Sequence, residues 1–296
     1  MISKLGNSII IFFKGMLMGI ADLVPGISGG TIAFITGVYE DLIEAINNIK
    51  LNIFDGGLAN NFKKKKIDFL LILFSGILFS IISFSKFLAY LLVNFNNELR
   101  SFFLGLVLYS IIILYRSIDK RRLLNISNLI LLIFSIIISF MIFNSPSFDP
   151  AITNWYIFLC GIICSLAMIL PGISGAYILI ILGTYEFLIK KISDFSAELD
   201  SITTIVIFGF GFLIGVIIFS RIIKYLLKSF KKQTFVTLIG LIIGSLPKIL
   251  PIEANDNLSF FGNLKEFFLN NPSSIFFIFI GVLSVSLFSR LKINTQ

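Results

Sequence analysis

Long apolar runs alternate with short polar ones along this chain, and the runs have helical rather than strand length. Residues 67–94, 100–115 and 123–143, then 201–227, 234–250 and 273–290, approach or exceed the roughly 20 residues that cross a bilayer as a helix. The alternating ten-residue pattern of an outer-membrane barrel is absent. Two further apolar stretches, 9–46 and 155–192, are each interrupted at the centre, by "LVPGISGGT" (23–31) and "ILPGISGAY" (169–177). These residues break helices, and in hydrocarbon each unsatisfied backbone group costs several kcal/mol. Breaks placed there need a reason.

The interruptions belong to an internal duplication. Gly15, Pro25, Gly26, Ile27, Ser28, Gly29, Gly37, Tyr39 and Glu40 align with Gly161, Pro171, Gly172, Ile173, Ser174, Gly175, Gly183, Tyr185 and Glu186. With a shifted register, "FSKFLAYLL" (84–92) aligns with "FSRIIKYLL" (219–227), and "GLVLYS" (105–110) with "GLIIGS" (240–245). The expected organisation is one all-α polytopic membrane domain made of two repeats, 1–145 and 146–296. Each repeat is a helical hairpin (9–46 or 155–192) followed by the three long helices given above. A hairpin returns the chain to its starting side and three crossings then leave the second half upside down, so the repeats are expected to be inverted.

Composition agrees and adds direction. With 57% hydrophobic and only 14% charged residues the chain is far from a soluble domain, where about a quarter of residues are charged. Threading the charges through this topology puts Lys4, Lys50, Lys63–Lys66, Arg116, Lys120–Arg122, Lys228, Lys231, Lys232, Arg290 and Lys292 on the side of the N-terminus. Arg100, Lys190, Lys191, Lys248 and Lys265 fall opposite, among acidic residues. The positive-inside rule makes the N-terminal side cytoplasmic, with both termini there. The net charge of +8 is therefore loop charge rather than a nucleic-acid surface. The apolar run after Lys4 is not a signal peptide, because the same segment recurs mid-chain. Cys160 and Cys164, one turn apart in an apolar segment, are packing residues and no metal framework. The chain has no histidine, which removes the usual base for a serine nucleophile, so G-x-S-x-G at Gly26–Gly30 is not a hydrolase elbow.

The arms of each hairpin are short for full crossings, so re-entrant hairpins with PGISG at the tip are expected. Pro25 and Pro171 end the first arm. Gly26, Gly29, Gly30, Gly172 and Gly175 allow close approach of a ligand. Ser28 and Ser174 are N-cap candidates, with free amides expected at 29–31. Thr31 adds a hydroxyl. Facing tips would form a phosphate-sized, partly polar cavity within the membrane. The bland alternative is close helix packing.

Other candidates keep two readings. Lys86 and Arg221, at matched positions in long apolar segments, are phosphate-binding cations or snorkelling anchors. Asp22, whose counterpart is Met168, could bond the tip amides or carry a coupling proton. Tyr39, Glu40, Tyr185 and Glu186 are gating or coupling candidates, or ordinary interfacial residues; Gly37 and Gly183 could break the second arm and turn the glutamates inward.

The pattern GxxxGxADxxPGxSGGT followed by GxYExLI, with a second PGxSG…GxY half, resembles the bacterial polyprenyl-phosphate (undecaprenyl phosphate) transporter family, long catalogued as a domain of unknown function. The resemblance spans nearly the whole chain. It implies translocation of undecaprenyl phosphate from the outer to the inner leaflet of the bacterial cytoplasmic membrane, for reuse in peptidoglycan and other envelope polymers. Its partners would be that lipid and the surrounding membrane lipids, with no cofactor, no metal and no catalysis. Ala176 departs from the small hydroxyl residue that the family usually has there, which would weaken the second tip's phosphate contact. The competing readings are a transporter or channel for a small inorganic anion, and a lipid-phosphate phosphatase, which the missing histidine and acidic metal cluster argue against.

Overall fold

A computed structural model describes residues 2–24, 27–47, 65–117, 125–193, 199–250 and 260–290. These residues form thirteen helices and no strand: α1 (Ile2–Asp22), α2 (Gly29–Ile35), α3 (Tyr39–Asn47), α4 (Lys65–Asn94), α5 (Asn96–Ser117), α6 (Ile126–Phe143), α7 (Asn154–Ile169), α8 (Gly175–Ile181), α9 (Tyr185–Ser193), α10 (Leu199–Ser229), α11 (Lys231–Ile249), α12 (Phe260–Asn270) and α13 (Ser273–Arg290).

The helix boundaries fall at matched positions in the two sequence halves. α2 and α8 both start at the glycine after the tip serine, and α3 and α9 both start at the tyrosine of GxYE. The break between α4 and α5 lies at Phe95, and the break between α10 and α11 at its counterpart Phe230. Gly37 (φ +73°) and Gly183 (φ +66°) end α2 and α8 in the left-handed region, where a β-carbon is strained. Each second arm is therefore two helices, the break at Gly37 and Gly183 being the one of the two expected arrangements that the fold adopts.

Small residues weld the helices in pairs. A β-carbon on Gly15 would sit 2.2 Å from the Leu73 carbonyl oxygen, and one on Gly19 2.2 Å from Ser80 Oγ. In the second half the same contacts join Gly161 to Phe208 and Gly211, and Ser165 to Gly215. The pair Gly19·Ser80 thus returns as Ser165·Gly215, with the hydroxyl on the other helix. The contacts advance together along both chains, so α1 runs parallel to α4 and α7 parallel to α10. The same holds for α11 and α6, where Gly240 meets Leu132 and Ser135 and Gly244 meets Ile136 and Ser139. Small-x-x-x-small spacing lets backbones approach where lipid supplies no hydrophobic drive between helices.

Three helices, α4 over 67–94, α6 and α10, are long and apolar enough to cross a membrane. α12, which the apolar pattern does not predict, and α13 make a further candidate together, bent by 95° at residues 271–272. α5 and α11 are also expected as spans from the sequence. They are long, but α5 opens with Glu98 and Arg100, and α11 carries Lys231, Lys232, Pro247 and Lys248. They are the inner helices, burying Phe103, Val107, Leu238 and Ile242 against α1, α2 and the tips. α4, α6 and α10 instead display apolar side chains such as Leu78, Ile82, Phe134 and Phe210 outward. Such an exterior matches hydrocarbon rather than water.

Candidate functional site

At the first tip Ser28 caps α2: its side chain, 3% exposed, accepts from the Gly30 amide at 3.1 Å. The Gly29 amide donates to Asp22 Oδ1 at 2.6 Å, so the carboxylate lies where an anion would sit. The Thr31 and Ile32 amides donate to the Ser28 carbonyl. The amides expected to be free at 29–31 are therefore all occupied, because Asp22 closes the turn. Pro25 and Gly26 lie outside the described residues.

The second tip differs. Ser174 is again the N-cap, accepting from the Tyr177 amide at 3.5 Å. Met168, the counterpart of Asp22, has its Cγ where a β-carbon on Gly175 would fall, at 2.8 Å. Met168 offers the Gly175 amide no carboxylate, and Ser174 Oγ accepts from Tyr177 rather than from Ala176, so neither the Gly175 nor the Ala176 amide has an acceptor among the described residues; Ala176 is exposed. Pro171 is fully buried. Gly172 takes φ +87° and packs against the backbone of α11, where a β-carbon would lie 2.7 Å from the Ile242 nitrogen.

The tips touch. The Gly172 amide donates to Thr31 Oγ1 at 2.8 Å, and Gly30 abuts the Met168 carbonyl so closely that an added β-carbon would lie 2.7 Å from its oxygen. The expected gap between tips is closed at this point by a direct hydrogen bond. A cavity of about 210 Å³ lies elsewhere, lined only by apolar atoms of Ile111, Ile112, Tyr115, Leu132, Val236, Ile239 and Ile243.

With the duplicated tips placed, the chain can be set beside known proteins. The sequence matches the family described as undecaprenyl phosphate translocase-like over residues 18–266. The chain belongs to this family. It is 37% identical over 257 residues to a polyprenyl-phosphate transporter of Vibrio cholerae, covering 85% of this chain and 80% of that one. It is 31% identical over 266 residues to a polyprenyl-phosphate transporter of Staphylococcus aureus, covering 86% and 91%. No solved structure matches it.

The remaining candidates scatter around this translocase-like core. Lys86 and Arg221 are exposed and make no hydrogen bond or ion pair among the described residues, those of the tips included. Tyr39 is buried edge-on to Phe34, at 5.3 Å, and its hydroxyl has no partner among the described residues. Glu40 and Glu186 are exposed rather than turned inward by the glycine breaks. Glu40 pairs with Lys231 at 2.8 Å, while Glu186 has no partner among the described residues. Tyr185 is half-buried against the smaller apolar cluster around Ile157 and Leu188.

Several polar contacts have no forerunner in the sequence pattern. Lys14 Nζ donates to the Thr36 carbonyl at 2.6 Å, and Tyr156 Oη donates to the matched carbonyl of Leu182 at 2.8 Å. A cation and a phenol thus do the same job at the far ends of α2 and α8. The signal that could have found Lys14 is a lone charge in an apolar helix. Tyr177 donates to the Phe143 carbonyl at 2.6 Å and lies 4.8 Å under Lys248 Nζ.

Proposed function

We propose that this protein moves polyprenyl phosphate across the bacterial cytoplasmic membrane, taking undecaprenyl phosphate from the outer to the inner leaflet for reuse in envelope polymer synthesis. The observation that carries the reading is the contact between two matched, helix-breaking tips inside an apolar helix bundle. The names of the two relatives supply the cargo. Broken helices at a repeat interface are how transporters present backbone dipoles to a substrate. The reading takes the halves as inverted repeats with re-entrant hairpins; the parallel pairs α1–α4, α7–α10 and α6–α11 fit that threading. Both termini are then cytoplasmic.

The headgroup is handled at Ser28–Thr31 and Pro171–Ala176, and first at the second tip, where Met168 leaves amides unoccupied. The tail stays in lipid. The basic cytoplasmic loops hold anionic headgroups near the inner leaflet.

Purified protein in vesicles, with leaflet-specific detection of polyprenyl phosphate, tests the reading. Protein-dependent loss of the lipid from one leaflet is expected, with excess inorganic phosphate competing weakly. Movement of labelled inorganic phosphate without movement of the lipid would favour the small-anion transporter instead.

A further inference from the structure

The two halves share a sequence pattern but not a set of contacts, and the differences collect at the GxYE turns. In the first half α2 is buried throughout Gly29–Phe34. Phe34 meets the Phe235 ring of α11 in a tilted contact at 5.2 Å, and Lys231 of α11 pairs with Glu40 and lies 5.7 Å from the Phe235 ring. Asn47 Nδ2 donates to the Ser220 carbonyl of α10 at 2.9 Å. The first hairpin is thus tied to second-half helices by an ion pair, an aromatic contact and a side-chain amide.

The ion pair and the aromatic contact have no equivalent at the matched positions among the described residues of the second half. Ile180, the counterpart of Phe34, is 45% exposed where Phe34 is 4% exposed. Glu186, the counterpart of Glu40, has no partner among the described residues. The counterpart of Lys231 is Asn96, which opens α5 just as Lys231 opens α11. The cation is not lost but displaced by one turn. Arg100 stands at the position of Phe235, and its Nε donates back to Asn96 Oδ1 at 2.9 Å. A guanidinium is therefore held beside the position that Lys231 occupies in the other half.

We propose that Glu186 and Arg100 form the mirror latch of Glu40 and Lys231, and that the two latches alternate. The proposal rests on the inverted-repeat reading above. In the present conformation the cytoplasmic latch is closed and the outer one open, which exposes Ile180 and Ala176 beside the buried residues 171–175 of the second tip. In the reverse conformation Arg100 does two jobs at once: its aliphatic stem covers Ile180 in place of Phe235, and its guanidinium grips Glu186. Exposed ion pairs are weak, so neither latch locks the protein. The buried Tyr39 hydroxyl, without a partner among the described residues, opposes the closed cytoplasmic side further, since opening would hydrate it.

The test is cross-linking in proteoliposomes, in full-length protein carrying Cys160→Ala and Cys164→Ala. The pair Glu40→Cys/Lys231→Cys should cross-link readily, and Asn96→Cys/Glu186→Cys slowly. Adding Lys231→Glu to the second pair should speed its cross-linking by about two- to fivefold, the population shift that one exposed ion pair can drive. In vesicle transport of polyprenyl phosphate, Arg100→Glu and Glu186→Arg should each slow turnover, and the two together should recover at least half of the loss. Cross-linking at 96 and 186 that ignores Lys231→Glu, or a charge swap no better than its single variants, overturns the latch. If the exchange holds while the unmodified protein moves no polyprenyl phosphate, the latch stands and the cargo assignment falls.

Discussion

The first hairpin tip satisfies the amides of residues 29–31 within itself, and the second leaves those of residues 175 and 176 without an acceptor among the described residues, although both spell PGISG. One side chain makes most of the difference. Asp22 accepts from the Gly29 amide, whereas Met168 in the same place lies against Gly175 and accepts nothing. The far ends differ in the same sense, with Lys14 capping α2 and Tyr156 capping α8. Duplication supplied two copies of a helix break, and divergence put a full charge at both ends of one copy only. A broken helix inside a membrane must have its backbone groups satisfied by something. Among the described residues the first tip satisfies the amides of 29–31 internally, and the second leaves those of Gly175 and Ala176 without an acceptor.

The largest effect in this comparison belongs to Gly172. An added β-carbon meets the Ile242 backbone at 2.7 Å and must also tolerate φ +87°. Backbone cannot yield as a side-chain end can. Gly172→Ala should therefore cost about 3 kcal/mol or more, by strain and overpacking together. Gly209→Ala, in helix α10 with nothing within 4 Å, should be neutral or slightly stabilising. Thermal unfolding of the two purified variants in one detergent would check the contrast. Equal midpoints would mean that the second tip is not held against α11.

A smaller effect should follow from exchanging the residues that distinguish the tips. Asp22→Ala leaves the Gly29 amide without its carboxylate, for a loss of about 1–3 kcal/mol. Asp22→Asn keeps an acceptor and should lose less. Met168→Asp makes the second tip resemble the first, its carboxylate reaching the Gly175 amide and competing with a lipid phosphate. Affinity for polyprenyl phosphate should fall on the order of tenfold, read by titration of the lipid in vesicles. Unchanged affinity in Met168→Asp would remove the second tip from the binding path.

What the sequence shows and hides follows from the range of each interaction. The apolar runs, the duplication and the serine N-caps depend on neighbouring residues, and the long helices lie in those runs, while α12 lies outside them. The break of each second arm is visible as a possibility in Gly37 and Gly183. The small-residue seams are also legible in principle, as Gly15 and Gly19, Gly76 and Ser80, Gly161 and Ser165, Gly211 and Gly215 at intervals of four. What cannot be read is pairing across the halves. Nothing local says that Glu40 meets Lys231, 191 residues away, or that Thr31 receives the Gly172 amide. The charge of Lys86 and Arg221 suggests a site, but a charge in an apolar run does not reveal which way its helix faces.

That last pair carries the smallest predicted effect. Both residues stand at the same repeat position, on α4 and α10, two of the three helices that display apolar side chains outward. Both are exposed and make no bond or ion pair among the described residues, while their helices turn Leu88 and Ile223 inward. A long cationic side chain on a lipid-facing surface lays its stem along the helix and sends its head to the interface. Nothing in that arrangement requires a phosphate at the tips. Lys86→Gln and Arg221→Gln should then change stability by no more than about 0.5 kcal/mol, and should leave transport from either face within about twofold of the unsubstituted protein. A loss of tenfold or more from one face alone, with normal unfolding behaviour, would show that the cation on that side does meet the headgroup. The path of the lipid would then run along the outside of α4 or α10 before it reaches the tips, and the second tip, with its two amides lacking an acceptor among the described residues, would be the end of that path rather than its entrance.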